Sequence, residues 1–256
     1  MKLNTLKILY QWPLSKVELV ETNGKKYILK TIHNDFTDEI KRQQMLYKKT
    51  SKIKIPKIHY VKKEESSTSF LMDYIPSRKK EIGIKKAIDI ANEFNNETKS
   101  IHNKYFQDYN FEKFYQDFKK VRKNLNNNLS KVNYIKLKEI FSDVFSSERS
   151  IVHGDWGKDQ ILNKGGKYYI IDFGKSFRGP SILDYAHLYL KDKKNKHYRI
   201  PRQDDSLLLK AKIIVCIITL NWFELCKSKY IPYKYEKEIK EYANLIDYNF
   251  KKLYWE

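Results

Sequence analysis

Cysteine is nearly absent. Only Cys216 and Cys226 occur in 256 residues, both in one apolar stretch of helical spacing, where ten residues of helix hold them roughly 15 Å apart. They cannot bridge within that helix, and no Cys/His spacing typical of a metal site accompanies them, so a disulfide framework is excluded and a reduced, cytosolic protein is expected. No apolar signal segment follows Met1-Lys2. Long hydrophobic runs are missing too: the most apolar, Ile213 to Phe223, falls short of the ~20 residues a bilayer requires. It is expected to be a buried core helix, not a transmembrane segment. The 8 glycines include no glycine-rich loop of the kind that cradles phosphate, since the first turn where one could stand reads Trp12-Pro13-Leu14-Ser15.

Acidic residues are outnumbered, 31 against 51 basic ones, for a formal net charge of +20. Such an excess ordinarily points to an anionic partner. Here the lysines are spread along the chain, while Asn, Ile and Tyr are abundant and Arg is scarce, which is the composition an AT-rich genome produces without selection for charge. No nucleic-acid partner is expected. The length allows one large domain or two unequal lobes.

Periodicity divides the chain. Lys16 to Glu21 alternates, Asn23-Gly24 is a hairpin turn, and Lys25 to Ile32 is the return strand. A helix follows over Asp35 to Thr50, with Asn34 or Asp35 as its cap and Ile40, Gln44 and Tyr47 on one side. Strands at Ile58 to Lys62 and Ser69 to Ile75 precede a break at Pro76-Ser77-Arg78. Beyond it, apolar residues recur every three or four positions from Ile84 to Tyr105 and from Phe111 to Leu125. Further helices are predicted at Tyr134 to Phe145, Ser206 to Lys227 and Tyr235 to Tyr254. A short hairpin turns at Lys164-Gly165-Gly166. The fold class is α+β, with a β-rich lobe over 1–75 and a larger, mainly helical lobe over 76–256.

Three short motifs stand in order between Ile151 and His187: His153-Gly154-Asp155, Ile171-Asp172-Phe173-Gly174, and Gly179-Pro180 followed by Asp184. Asp172 lies 17 residues after Asp155. Phosphoryl transfer needs one carboxylate to orient the attacking hydroxyl and another to hold Mg2+ on the phosphates. With these motifs the chain resembles the protein-kinase-like superfamily, in its aminoglycoside phosphotransferase and choline kinase branch. The resemblance implies a bilobal fold with a small antiparallel sheet and one helix in the N-lobe, ATP and Mg2+ as cofactors, and a small-molecule hydroxyl as acceptor. The short span from Gly174 to Asp184 and the lack of Ala-Pro-Glu argue against a protein kinase.

Residue by residue, the resemblance assigns Asp155 to the attacking hydroxyl and Asp172 to the metal. Lys30 resembles the strand lysine that holds the α- and β-phosphates, Glu39 its carboxylate partner, and Met72 and Tyr74 lie in a segment resembling the hinge that binds the adenine edge. Asp184 resembles a brace of the catalytic loop, and His153 is expected to orient that loop. The chain departs from the pattern at Gln160, five residues after Asp155, where a metal-ligating Asn is usual. Glutamine keeps the carboxamide oxygen but carries it one methylene, roughly 1.5 Å, farther out. A catalytically impaired relative, a nucleotide-binding module or spore-coat-type scaffold, is the alternative reading. For the acceptor, an acidic pocket could draw on Asp192, Asp204, Asp205 and Glu224, and an aromatic cage on Trp156, Tyr185 and Trp222.

Overall fold

The computed structural model describes residues 2–76, 82–125, 134–191, 205–231 and 235–254. Contacts divide the chain into two compact units, Met1–Phe106 with Gly157–Ser176, and Gln107–Trp156 with Phe177–Glu256.

The first unit is built on an antiparallel sheet of five strands: β1 (Asn4–Trp12), β2 (Ser15–Thr22), β3 (Lys25–His33), β4 (Ile58–Lys63) and β5 (Ser67–Asp73), in the order β1-β2-β3-β5-β4. Asn23 and Gly24 both have positive φ, 51° and 70°, the backbone that matches a two-residue turn to the twist of its strands. Val17 lies opposite Lys30 and Leu19 opposite Ile28. Ile28, Ile32, Phe70 and Met72 close a core against Ile40 of α1 (Asp38–Lys49). Strand β1 was not anticipated. It is an edge strand, exposed along nearly its whole length, with register shifts at Thr5/Lys7 and Ile8/Tyr10, so no alternation of burial marks it.

Helix α1 differs in two ways from its expected form. The chain enters it through a 3-10 turn, Asn34–Phe36, capped by His33, whose Nδ1 accepts the Asp35 N–H at 3.3 Å. Its buried face is Glu39, Ile40, Gln43 and Leu46, with Tyr47 turned outward. Gln43 donates to the Pro56 carbonyl at 2.9 Å and Glu39 meets Lys30, so polar contacts rotate the helix by about one residue.

The expected division at residue 75 gives way to one in which helix α2 (Ile84–Thr98) and the hairpin β7–β8 (Ile161–Lys164, Lys167–Ile170) join the sheet. Glu97 near the end of α2 accepts the N–H groups of Ser51, Lys52 and Ile53 at 2.8–2.9 Å. Lys54 exchanges backbone hydrogen bonds with the hairpin through Tyr168 and Ile170. These are contacts between residues distant in sequence, which local periodicity does not record. Helix α2 stops at Thr98, whose hydroxyl bonds back to the Phe94 carbonyl at 2.9 Å, leaving Ile101 and Tyr105 in turns. Ser77 and Arg78 lie outside the described residues.

The second unit contains α3 (Phe111–Val121), α4 (Tyr134–Phe145), α5 (Ile182–Lys191), α6 (Asp205–Lys229) and α7 (Glu236–Tyr254), with an antiparallel pair, β6 (Arg149–Val152) and β9 (Phe177–Pro180). Helix α6 has 25 residues and is long and apolar enough to cross a membrane by length and composition. It packs against α3, α4, α5 and α7. A helix surrounded in this way needs apolar residues on all sides, which accounts for its lack of a polar face.

Candidate active site

Lys30 points from β3 into the first unit and is almost fully buried. Its Nζ lies 2.6 Å from Glu39 Oε1 and 2.9 Å from Asp172 Oδ1. Three of the residues singled out in sequence, from a strand, a helix and a loop, therefore converge on one ammonium group. Burial acts to lower the Lys30 pKa, but the two carboxylates outweigh it and raise the value above the ordinary lysine range. Burial also pushes the Glu39 carboxyl up, with Lys30 pulling it back and Asp172 pushing it further. The two carboxylates are not equivalent. The Glu39 side chain is 4% exposed and the Asp172 side chain 44%, so Glu39 is the fixed partner and Asp172 the one that solvent and ligands can reach.

Asp172 follows β8 with φ of 70°, in the left-handed region that few non-glycine residues occupy. Backbone held there persists only where its surroundings enforce it, and such positions cluster at functional sites. The enforcing contacts are visible. Phe173 is fully buried, its ring 6.1 Å from that of Phe94 on α2. Arg42 of α1 donates from Nη1 to the Gly174 carbonyl at 2.6 Å and from Nε to the Tyr105 carbonyl at 2.8 Å. Arg42 was missed in the sequence. Its one signal was its place three residues after Glu39, on the same helical face.

Gln160 ends a 3-10 turn, Lys158–Gln160, and its carbonyl accepts the Ile171 N–H at 3.1 Å, tying this turn to the start of the Asp172 loop. Its amide nitrogen donates to Asp159 Oδ2 at 2.8 Å. The amide oxygen is buried and has no hydrogen-bond partner among the described residues. An orphaned buried acceptor is costly and calls for an explanation. A hard cation supplies one, and the oxygen donors of Gln160 and Asp172 suit Mg2+. Among the described residues no three Asp, Glu, His or Cys side chains gather as a metal cluster.

Met72 lies inside β5 with Ile28 on one side and Ile58 on the other, and its side chain joins the core. Tyr74 is one residue past the strand's end. Met72 therefore packs the sheet from within, and Tyr74 stands at its edge. A cavity of about 430 Å³ lies beside the Trp12–Ser15 turn, lined by Ser15, Thr31, His33 and Ser67 among others. Lys30, Glu39 and Asp172 are not among its walls.

In the second unit, Asp184 accepts the His153 N–H at 2.9 Å and the Gly154 N–H at 3.4 Å. This is the brace expected of it. Gly154 has φ of 78°, and the His153 ring stands edge-on to Trp156 at 5.0 Å. Asp155 follows, its side chain 26% exposed, with Lys191 Nζ 2.6 Å from Oδ1. Burial pushes the Asp184 carboxyl up to about 7, against the pull of the His153 and Gly154 N–H bonds. A carboxyl raised in the folded state contributes stability below its unfolded pKa and loses it as pH rises through the folded one. The stability of the wild type relative to Asp184→Asn is therefore expected to fall between pH 4 and pH 7 by on the order of a few kcal/mol. Urea titrations across that window measure it, and a difference independent of pH refutes it.

For the aromatics offered as a cage, core packing is the better default from sequence, and the structure agrees for two of them. Trp156 and Tyr185 are buried in the core and cannot form a cage. Glu224 lines a cavity of about 520 Å³, but it shares those walls with Lys123, 3.2 Å away, and Lys227, so the cavity is not acidic. Asp192 and Asp204 lie outside the described residues.

No protein-family model and no curated protein matches the sequence. Solved structures do match. A thermostable mutant of aminoglycoside phosphotransferase APH(4)-Ia, in ternary complex with AMP-PNP and hygromycin B, superposes with a TM-score of 0.71 at 12% identity, over 100% of this chain and 96% of that one. Choline kinase LicA from Streptococcus pneumoniae gives 0.62 at 17% identity, over 99% and 93%. The chain has the fold of these small-molecule kinases. A LicA complex with AMP matches as well, with a TM-score of 0.61 at 14% identity, over 99% and 93%. At such identities the kinase-like fold is what is shared, and the chemistry rests on this chain's own residues.

Proposed function

We propose that the protein is a Mg-ATP-dependent O-phosphotransferase acting on a hydroxyl of a small molecule: a sugar, a glycan, an amino alcohol or an aminoglycoside-like compound. The observation that carries this reading is the Lys30 ammonium held between Glu39 and Asp172 at 2.6 and 2.9 Å. A purely structural ion pair has no use for a second, half-exposed carboxylate on strained backbone.

In this reading Lys30 binds the α- and β-phosphates, aimed by Glu39. Asp172 and Gln160 hold Mg2+, which when bound neutralises charge on the phosphate oxygens. Asp155 accepts the hydrogen bond of the acceptor hydroxyl and aligns its oxygen for in-line attack. The acceptor oxygen forms a bond to the γ-phosphorus as the bond to the β,γ-bridging oxygen breaks. ADP leaves with that electron pair, and the hydroxyl proton passes to Asp155 and then to solvent. The same reading places the protein in the cytoplasm, where ATP and Mg2+ are supplied.

Calorimetric titration of ATP with and without Mg2+, on the wild type and Asp172→Ala, tests the reading. Metal-dependent binding lost in the variant is expected, followed by phosphate transfer to at least one of choline, hygromycin B and glucose. No binding at millimolar ATP would favour the impaired, scaffold-like alternative, which otherwise rests on Gln160 and the glycine-poor first turn.

A further inference from the structure

Lys191, the last residue of α5, places its Nζ 2.6 Å from Asp155 Oδ1 and 2.8 Å from the backbone oxygen of the same residue. Asp184 stands on the same helix seven residues earlier, two turns or about 10.5 Å along one face. One helix thus grips the loop twice: Asp184 holds the amides of His153 and Gly154, and Lys191 holds Asp155 itself. Bridging the backbone oxygen and the carboxylate of a single residue fixes that side chain's rotation relative to its own main chain.

Fold stability does not account for the contact. The Lys191 and Asp155 side chains are 31% and 26% exposed, and ion pairs so open to water contribute little. Orientation does account for it, because a reacting group displaced by about 1 Å costs on the order of 10²-fold in rate. We propose that Lys191 is a positioning residue for phosphoryl transfer, which locks the carboxylate of Asp155 in the attitude that receives the acceptor hydroxyl. This inference rests on the proposed role of Asp155.

The test measures ADP release with Mg-ATP by the full-length wild type, Lys191→Met, Lys191→Arg and Asp155→Asn, with choline, hygromycin B, glucose or water alone as acceptor. Nucleotide affinity and Tm are measured on each. Lys191→Met is expected to lower kcat about 10²-fold, with the ATP Kd within about threefold and Tm within about 3 °C. Lys191→Arg, which keeps the charge and can donate to both oxygens, is expected to recover to within about tenfold of the wild type. A Lys191→Met enzyme with wild-type kcat beside a dead Asp155→Asn overturns the inference and leaves the kinase reading standing. An Asp155→Asn enzyme as active as the wild type overturns the inference together with the proposed role of Asp155. If Lys191→Met does not fold, Lys191→Arg at less than a hundredth of wild-type kcat likewise overturns it.

Discussion

Asp155→Asn is expected to bind Mg-ATP as the wild type does and to lose about 10³-fold in kcat, within the range found for removing a positioned general base. The isosteric amide keeps the shape of the loop but can no longer take the hydroxyl proton. The loop itself is held by other groups, since Asp184 bonds the His153 and Gly154 amides and both His153 and Trp156 are fully buried. The variant should therefore fold, which makes the loss one of chemistry. Stopped assays of phosphate transfer beside calorimetric ATP binding separate the two. An unchanged kcat would remove Asp155 from the mechanism; a lost ATP affinity would show that its role is in binding.

Lys30→Met should be strongly destabilising. It leaves the buried Glu39 carboxylate without its cation at 2.6 Å. Breaking one side of a buried ion pair costs about 3–5 kcal/mol, because the remaining charge stays out of water. Replacing both partners, Lys30→Met with Glu39→Gln, removes the uncompensated charge and should restore most of that loss while leaving ATP affinity low. Urea denaturation of the single and double variants measures the difference. A single variant as stable as the wild type would show that the pair is not maintained. Low pH should narrow the single variant's deficit, since protonation of Glu39 relieves the same charge.

Strand pairing, turn and helix positions were legible where one face of an element is buried and the other is not. The hairpin at Asn23-Gly24 and the helices over 134–145 and 236–254 follow from such contrast. Strand β1 escaped because an edge strand with bulges, exposed on both faces, carries none. The assignment of α2 to the sheet unit escaped because Glu97, Phe94 and Lys54 meet partners far away in the chain.

The candidate site divides in the same way. Asp155, Asp172 and Asp184 could be found from sequence alone, since each sits in a short motif whose chemistry depends on its immediate neighbours. Lys30 and Glu39 were found from a strand and the start of the next helix, elements close together in the chain. Arg42 and Lys191 were decided only by tertiary structure. Among 51 basic residues nothing local distinguishes the lysine that reaches Asp155 from those that reach water. What distinguishes it is the rotation of α5 about its axis, set by the burial of Asp184 and the apolar residues beside it. That rotation is a property of packing, which follows from the whole core and is not written at any one position.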